Sequence, residues 1–280
     1  MKKIVLLLVL IQCFCFSKNI TIEGFSLPES ILVGKEYVFI SNVGAKLEPT
    51  KKDGDGFISK LNKDGKILEL HFIDGLNAPK GMGLVGDVLY IADIDVIRGF
   101  NINSKKEVFT LKTKGLNFLN DITIKDSQTL FAGDTLSGAI IEVNLKNANY
   151  KKVFEIPLAN GLNYFNGILY VAQLGGDPKN MLDAKGKLFK IDLKTNQIEK
   201  LSKFEGILDG VQRFGDNIYI SDWVNFKKSG IIRVYNLNTK KESILKQELF
   251  MGAADFWIDE LSKKLYLPQM LGSKITVIDL

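Results

Sequence analysis

Asn160-Gly161-Leu162, running on into Leu169-Tyr170-Val171-Ala172-Gln173, decides the fold, because its pattern returns along the whole chain. A short polar step leads into a hydrophobic residue at Glu29-Ser30-Ile31, Lys80-Gly81-Met82, Asn120-Asp121-Ile122, Asn160-Gly161-Leu162, Asp209-Gly210-Val211 and Asp255-Phe256-Trp257. The first members lie 51, 40, 40, 49 and 46 residues apart. Self-similarity at that period marks an array of small supersecondary units.

The segment after each step repeats as well. Leu89-Tyr90-Ile91-Ala92-Asp93, Leu130-Phe131-Ala132-Gly133-Asp134, Ile218-Tyr219-Ile220-Ser221-Asp222 and Leu265-Tyr266-Leu267-Pro268-Gln269 share an aromatic and branched run that ends small, then polar. Such a run is a buried strand leaving the core. A third segment alternates with period two, as in Ile140-Ile141-Glu142-Val143 and Ile232-Arg233-Val234-Tyr235, the pattern of a sheet with one more exposed face. A fourth, more polar strand follows at Ile67–Leu70, Val108–Leu111, Val153–Ile156 and Ile198–Leu201. Four strands in about 44 residues describe a propeller blade. The expected fold is therefore all-β: a six-bladed β-propeller with four-stranded blades. The sixth unit stops at Leu280 after its third strand, and the segment from Ile20 to Phe25 can supply the missing fourth. That pairing would close the ring and cover an open edge. A parallel β-helix lacks this four-strand rhythm.

Met1-Lys2-Lys3, the apolar run from Ile4 to Ile11 and the small residues Cys15 and Ser17 form a secretory signal pattern. Cleavage after Ser17 would leave residues 18–280 as one domain, exported to the periplasm, with no transmembrane segment remaining. Cys13 and Cys15 fall inside the leader, so the mature domain would have neither disulfides nor thiol chemistry. The formal charge of +5 drops to +3 when Lys2 and Lys3 leave. The remaining lysines are scattered through turns, which excludes a nucleic-acid footprint. His71 is the single histidine, so a Ser-His-Asp triad has nothing to work with. Asp53-Gly54-Asp55-Gly56 lacks the twelfth-position Glu of an EF-hand and reads as a glycine turn.

In a propeller the first strand of each blade lines the central channel. The six first members would then converge as Glu29, Lys80, Asn120, Asn160, Asp209 and Asp255, with a formal charge of −2. Crowded carboxylates must be hydrated, protonated or neutralised by a cation. Carboxylates with amide oxygens are a hard donor set that favours Ca²⁺, with Mg²⁺ or Mn²⁺ behind. Asp93, Asp134 and Asp222, at the ends of second strands, are expected to cap turns through backbone hydrogen bonds. Trp223 and Phe226 either wall a pocket or cover the rim.

On these residues the chain resembles the SMP-30/gluconolactonase/luciferin-regenerating-enzyme-like group of propellers. The carrying motifs are Glu29 opening the first blade, Asn120-Asp121, Asn160-Gly161 and Asp209-Gly210. The resemblance implies a divalent metal on Glu29, Asn160 and Asp209 and hydrolysis of a lactone or small ester. By that likeness Asp209 would double as general base and Asn120 would contact the substrate; from the ring itself, Asp121 is an alternative base and Lys80 and Asp255 are expected to orient the substrate with Asn120. The alternative is a non-catalytic propeller that binds a periplasmic ligand or protein, with a structural metal or none.

Overall fold

The computed structural model describes residues 19–245 and 247–280. The expected leader, with Cys13 and Cys15, lies outside the described residues. The chain forms six sheets in sequence order around an axis. Blade 1 is Pro28–Val33, Tyr37–Asn42, Gly56–Asn62 and Ile67–Leu76; blade 2 is Pro79–Val85, Val88–Asp93, Val96–Asn101 and Glu107–Lys112. Blade 3 is Leu119–Asp126, Thr129–Asp134, Ala139–Asn144 and Asn149–Glu155; blade 4 is Ala159–Phe165, Ile168–Gln173, Leu188–Asp192 and Gln197–Lys200. Blade 5 is Leu208–Phe214, Asn217–Asp222, Lys228–Asn236 and Glu242–Ile244, with Phe250–Met251 also pairing on its third strand.

Blade 6 contributes Trp257–Asp259, Lys264–Gln269 and Lys274–Asp279, and its outer strand is Ile20–Glu23 from the other end of the chain. Ile20 faces Val277 and Ile22 faces Ile275 in antiparallel register. The fold expected from the repeat, including this closure, is the fold observed. Among the described residues no helix is long and apolar enough to cross a membrane.

Second strands are buried almost throughout, because their branched and aromatic residues pack on both faces against neighbouring blades. Each junction has its own core: Ile58 packs with Leu89 and Ile91 between blades 1 and 2, and Val211 with Tyr170 and Ala172 between blades 4 and 5. A further cluster joins Val43, Ala78, Ile94, Ile207, Trp223, Ala254 and Met270, drawn from several blades, across one end of the ring.

The aspartates ending second strands act as expected. Asp93 accepts the backbone N–H groups of Asn77 and Ala78, Asp134 those of Phe118 and Ser137, and Asp222 those of Ile207 and Val224. Each therefore clamps the start of its own blade's first strand, where ladder bonds are missing. His71 stacks on Phe57 at 3.9 Å and contacts Asp74 on an exposed strand, far from any metal role.

Candidate functional site

The polar steps occupy β-bulges. In blade 4, Ala159 pairs with Gln173 and Leu162 with Val171, so one residue more lies on the first strand than on the second. The same slip occurs between Pro28 and Ser30, Pro79 and Met82, Leu119 and Ile122, and Leu208 and Val211. A bulge re-aims side chains that would otherwise alternate into the sheet. Here it turns two successive residues toward the axis, the first toward one end of the channel and the second toward the other.

This register corrects one reading of the sequence. In blade 6 the residue bridged to Gln269 is Ala253, matching Pro28, Pro79, Leu119, Ala159 and Leu208 in the other blades. The sixth member of the first ring is therefore Ala254, and Asp255 belongs to the second ring with Ser30, Gly81, Asp121, Gly161 and Gly210. The polar Asp255 stands directly after the small Ala254, so the repeat pattern of polar steps lands one residue too far along in this blade.

The first ring floors a vestibule of about 380 Å³. Glu29, Lys80, Asn120, Asn160 and Asp209 form its base, and Phe118, Trp223, Leu174, Ile207, Met270 and Phe226 are among its walls. Trp223 and Phe226 wall this pocket together, their rings 5.2 Å apart. Asp209 is fixed on both sides: Asn160 Nδ2 donates to Oδ1 at 3.1 Å, and Trp223 Nε1 donates to Oδ2 at 2.8 Å. Asn160 Nδ2 also reaches the Leu208 carbonyl at 3.1 Å, while its Oδ1 accepts from Thr135 Oγ1 at 3.3 Å. Nothing in the sequence pattern pointed to Thr135 or to the indole as partners of the step residues.

Lys80 is 2% exposed and donates from Nζ to the carbonyls of Ala78 at 2.8 Å and Pro49 at 2.9 Å. Its ammonium lies 4.8 Å from the Phe118 ring centre, a cation–π contact. Burial pulls its pKa down to about 8 against the pull of Glu29 and Asp93. Glu29 is buried, and its Oε2 has no hydrogen-bond partner among the described residues. Burial first, then the charge of Asp209, pushes its pKa well up, and Lys80 opposes them. Burial likewise raises Asp209 to about 7, although the bonds from Trp223 and Asn160 favour its ionised form. The Asn120 side chain makes no hydrogen bond among the described residues.

The donor chemistry suits a hard cation. Glu29 Oε2 is buried without a donor beside the Asp209 carboxylate, and Asn160 already touches Asp209. Rotating the Asn160 amide exchanges nitrogen for oxygen at that contact. Only two carboxylates stand there. Among the described residues no three His, Cys, Asp or Glu side chains assemble as a metal-holding group, so the third ligand would have to be the amide.

The second ring opens into a different cavity of about 350 Å³, lined by Asp121, Asp255, Ser30, Tyr164, Gln212 and Trp257 among others. Asp121 accepts the backbone N–H groups of Ile122 and Leu162, both at 2.6 Å. Asp255 Oδ2 accepts from Ser30 Oγ at 2.5 Å. Burial raises Asp121 to about 7 and lifts Asp255 well above the usual range, with Asp121 itself contributing to the latter. The expected assembly thus divides. Glu29, Asn160, Asp209, Lys80 and Asn120 share the vestibule, whereas Asp121 and Asp255 line the opposite cavity.

Glycine in the steps is a packing requirement. A Cβ on Gly161 would lie 2.2 Å from the Asp209 carbonyl oxygen, and one on Gly210 would lie 2.5 Å from Asp255 Oδ1. On Gly81 it would meet Asp121 Oδ1 at 2.4 Å. First strands of adjacent blades therefore touch at the axis.

The chain matches no protein-family model and no curated protein sequence. Many solved chains share its fold. One, from the crystal structure of a nidogen/laminin complex, is similar over 88% of this chain and 90% of its own length, with a TM-score of 0.66 and 15% identity. At that identity the likeness shows the fold alone: a six-bladed β-propeller.

Proposed function

We propose that the vestibule binds a small molecule and that the chain hydrolyses a lactone or small ester there, as an exported, periplasmic relative of the SMP-30/gluconolactonase group. The observation that carries this reading is the buried, donorless Glu29 Oε2 beside Asp209 at the floor of a walled pocket. A divalent cation, Ca²⁺ first, would be held by Glu29, Asn160 and Asp209 and would polarise the scissile carbonyl. Asp209 takes a proton from attacking water as general base. The Trp223 and Asn160 bonds fix its orientation. Lys80 has one N–H beyond its two carbonyl contacts, and with Asn120 it orients the substrate oxygens. The apolar walls exclude bulk water and strengthen each of these contacts.

A lactone and ester panel with Ca²⁺, Mg²⁺, Mn²⁺ or EDTA tests the proposal. Turnover that needs a divalent ion and disappears in Asp209→Asn with the fold intact supports it. A folded protein inert to the whole panel with every ion sinks it.

A second reading is a non-catalytic binding propeller. It draws on the exposed Leu47, Leu136, Leu182 and Phe226, an apolar fringe of the kind that takes partners. The neighbour from the nidogen/laminin complex shows that this fold occurs in protein assemblies. If chelation lowers the melting temperature while the panel stays silent, this reading stands, with the metal clamping the blades.

A further inference from the structure

The vestibule has two chemically distinct zones. Its floor carries polar groups with unused capacity: Glu29 Oε2 lacks a donor, the Asn120 amide is unpartnered, and Lys80 retains one N–H. Above the floor the lining side chains are apolar apart from Thr50. The apolar character continues to the mouth, where Leu47 is 42%, Leu136 48%, Leu182 44% and Phe226 46% exposed. These four come from four separate loops, so the fringe encircles the opening rather than marking one sticky segment.

A polyhydroxylated ring does not fit such walls. Each buried hydroxyl without a hydrogen-bond partner is costly, and the walls offer almost none. A hydrocarbon body gains instead, by about fourfold in affinity for each methylene removed from water. Beside the oxygens assigned to the cation, the floor asks for a compact head that accepts from Lys80 and Asn120. About 380 Å³ lies at the small end of ligand pockets, enough for one short chain and its head.

Building on the reading of the vestibule as a small-molecule site, we infer that its ligands are amphiphiles: a hydrocarbon chain against the walls and a carbonyl-bearing head on Lys80 and Asn120 at the floor. In substrate terms this means alkyl-substituted lactones or aliphatic esters rather than sugar lactones. Hydrolysis adds water across the acyl C–O bond. A lactone opens to one hydroxy acid, whereas an ester parts into an acid and an alcohol.

Calorimetric titration of the full chain with decanamide and gluconamide tests binding without chemistry. Hydrolysis of δ-decalactone and D-glucono-δ-lactone, followed by pH-stat, tests turnover. Decanamide is expected to bind, weakening about fourfold for each methylene removed, while gluconamide gives no heat. Turnover of δ-decalactone should exceed that of the sugar lactone by about 60-fold in kcat/KM, the product of about fourfold for each of three buried methylenes. Leu182→Asp, at the exposed mouth, should weaken decanamide about tenfold with unchanged circular dichroism; Phe226→Ser serves if that variant does not fold. Binding that depends on chain length, with both lactones untouched, overturns the hydrolase reading and leaves this inference standing. Sugar-lactone turnover without decanamide binding overturns this inference and leaves the hydrolase reading standing. Affinity unmoved by chain length or by the mouth variants also overturns it.

Discussion

Trp223 Nε1 donates to Oδ2 of Asp209 across 2.8 Å, tying a rim loop of blade 5 to that blade's own first-strand bulge. The indole is buried and belongs to the cluster that spans one end of the ring. Trp223→Phe keeps most of this packing and removes the one donor to that oxygen among the described residues. A buried carboxylate oxygen left unpaired costs about 1–3 kcal/mol. Urea denaturation should show a loss of that size. Because the lost bond favoured the ionised form, the Asp209 pKa should also rise.

Glu29→Gln isolates the orphan oxygen. The substitution removes the repulsion that Asp209, Asp255 and Asp121 exert on the Glu29 carboxylate, so in EDTA the variant should melt above the parent. Any rise in melting temperature that Ca²⁺ gives the parent should vanish in the variant. A variant that still responds to Ca²⁺ places the ion elsewhere.

The second ring sets a pH dependence of its own. Unfolded, Asp121 titrates near 3.8; folded, it holds its proton up to about 7. Across that interval the folded state binds more protons, so stability is full below the unfolded value and drains away as pH rises through about 7. Asp255, raised by burial and by Asp121, adds in the same direction. Melting temperature should therefore fall from about pH 5 to about pH 8, and Asp121→Asn should flatten the slope. Lys80 works in a separate window: its lowered pKa stabilises the fold at high pH, and that contribution is lost as pH falls through about 8.

Gly161→Ala and Gly133→Ala form a matched pair. The first puts a methyl group 2.2 Å from a backbone oxygen, the second 3.4 Å from a flexible leucine. Overpacking against rigid backbone costs about 1–3 kcal/mol or more, so Gly161→Ala should lower the melting temperature markedly and Gly133→Ala hardly at all.

Ring closure can be locked. Thr21 and Thr276 are directly opposed on the closing pair, within disulfide range for antiparallel neighbours. The double cysteine variant, made in residues 18–280 so that Cys13 and Cys15 are absent, should oxidise spontaneously and gain about 2–4 kcal/mol, read as a melting temperature that falls on reduction.

The sequence carried the architecture because repetition is redundant: Tyr90, Tyr170, Tyr219 and Tyr266 recur at one place in the second strand, and any of them sets the register of the rest. It carried Glu29, Asn160 and Asp209 to one floor for the same reason. It misplaced Asp255, because a bulge presents two consecutive residues to the axis and sequence alone does not say which faces which end. Ala254, small and apolar, was the true sixth member and had no polar signal to offer. The same ambiguity put Asp121 with Asp209 as alternative bases, although backbone N–H groups from two strands hold it in the other cavity. Thr135, Phe118 and the Trp223 N–H were invisible because they reach the floor from neighbouring turns and loops.

The glycines at the axis have a consequence for what kind of object this ring is. Where first strands meet without room for a methyl group, the step residues of neighbouring blades are held in fixed contact, with a well at each end of the axis. The carboxylates of the two wells sense one another, since Asp121 and Asp255 both raise the pKa of Glu29. Occupancy of one well can therefore be reported in the other as a change in bound protons, a conversation carried by charge.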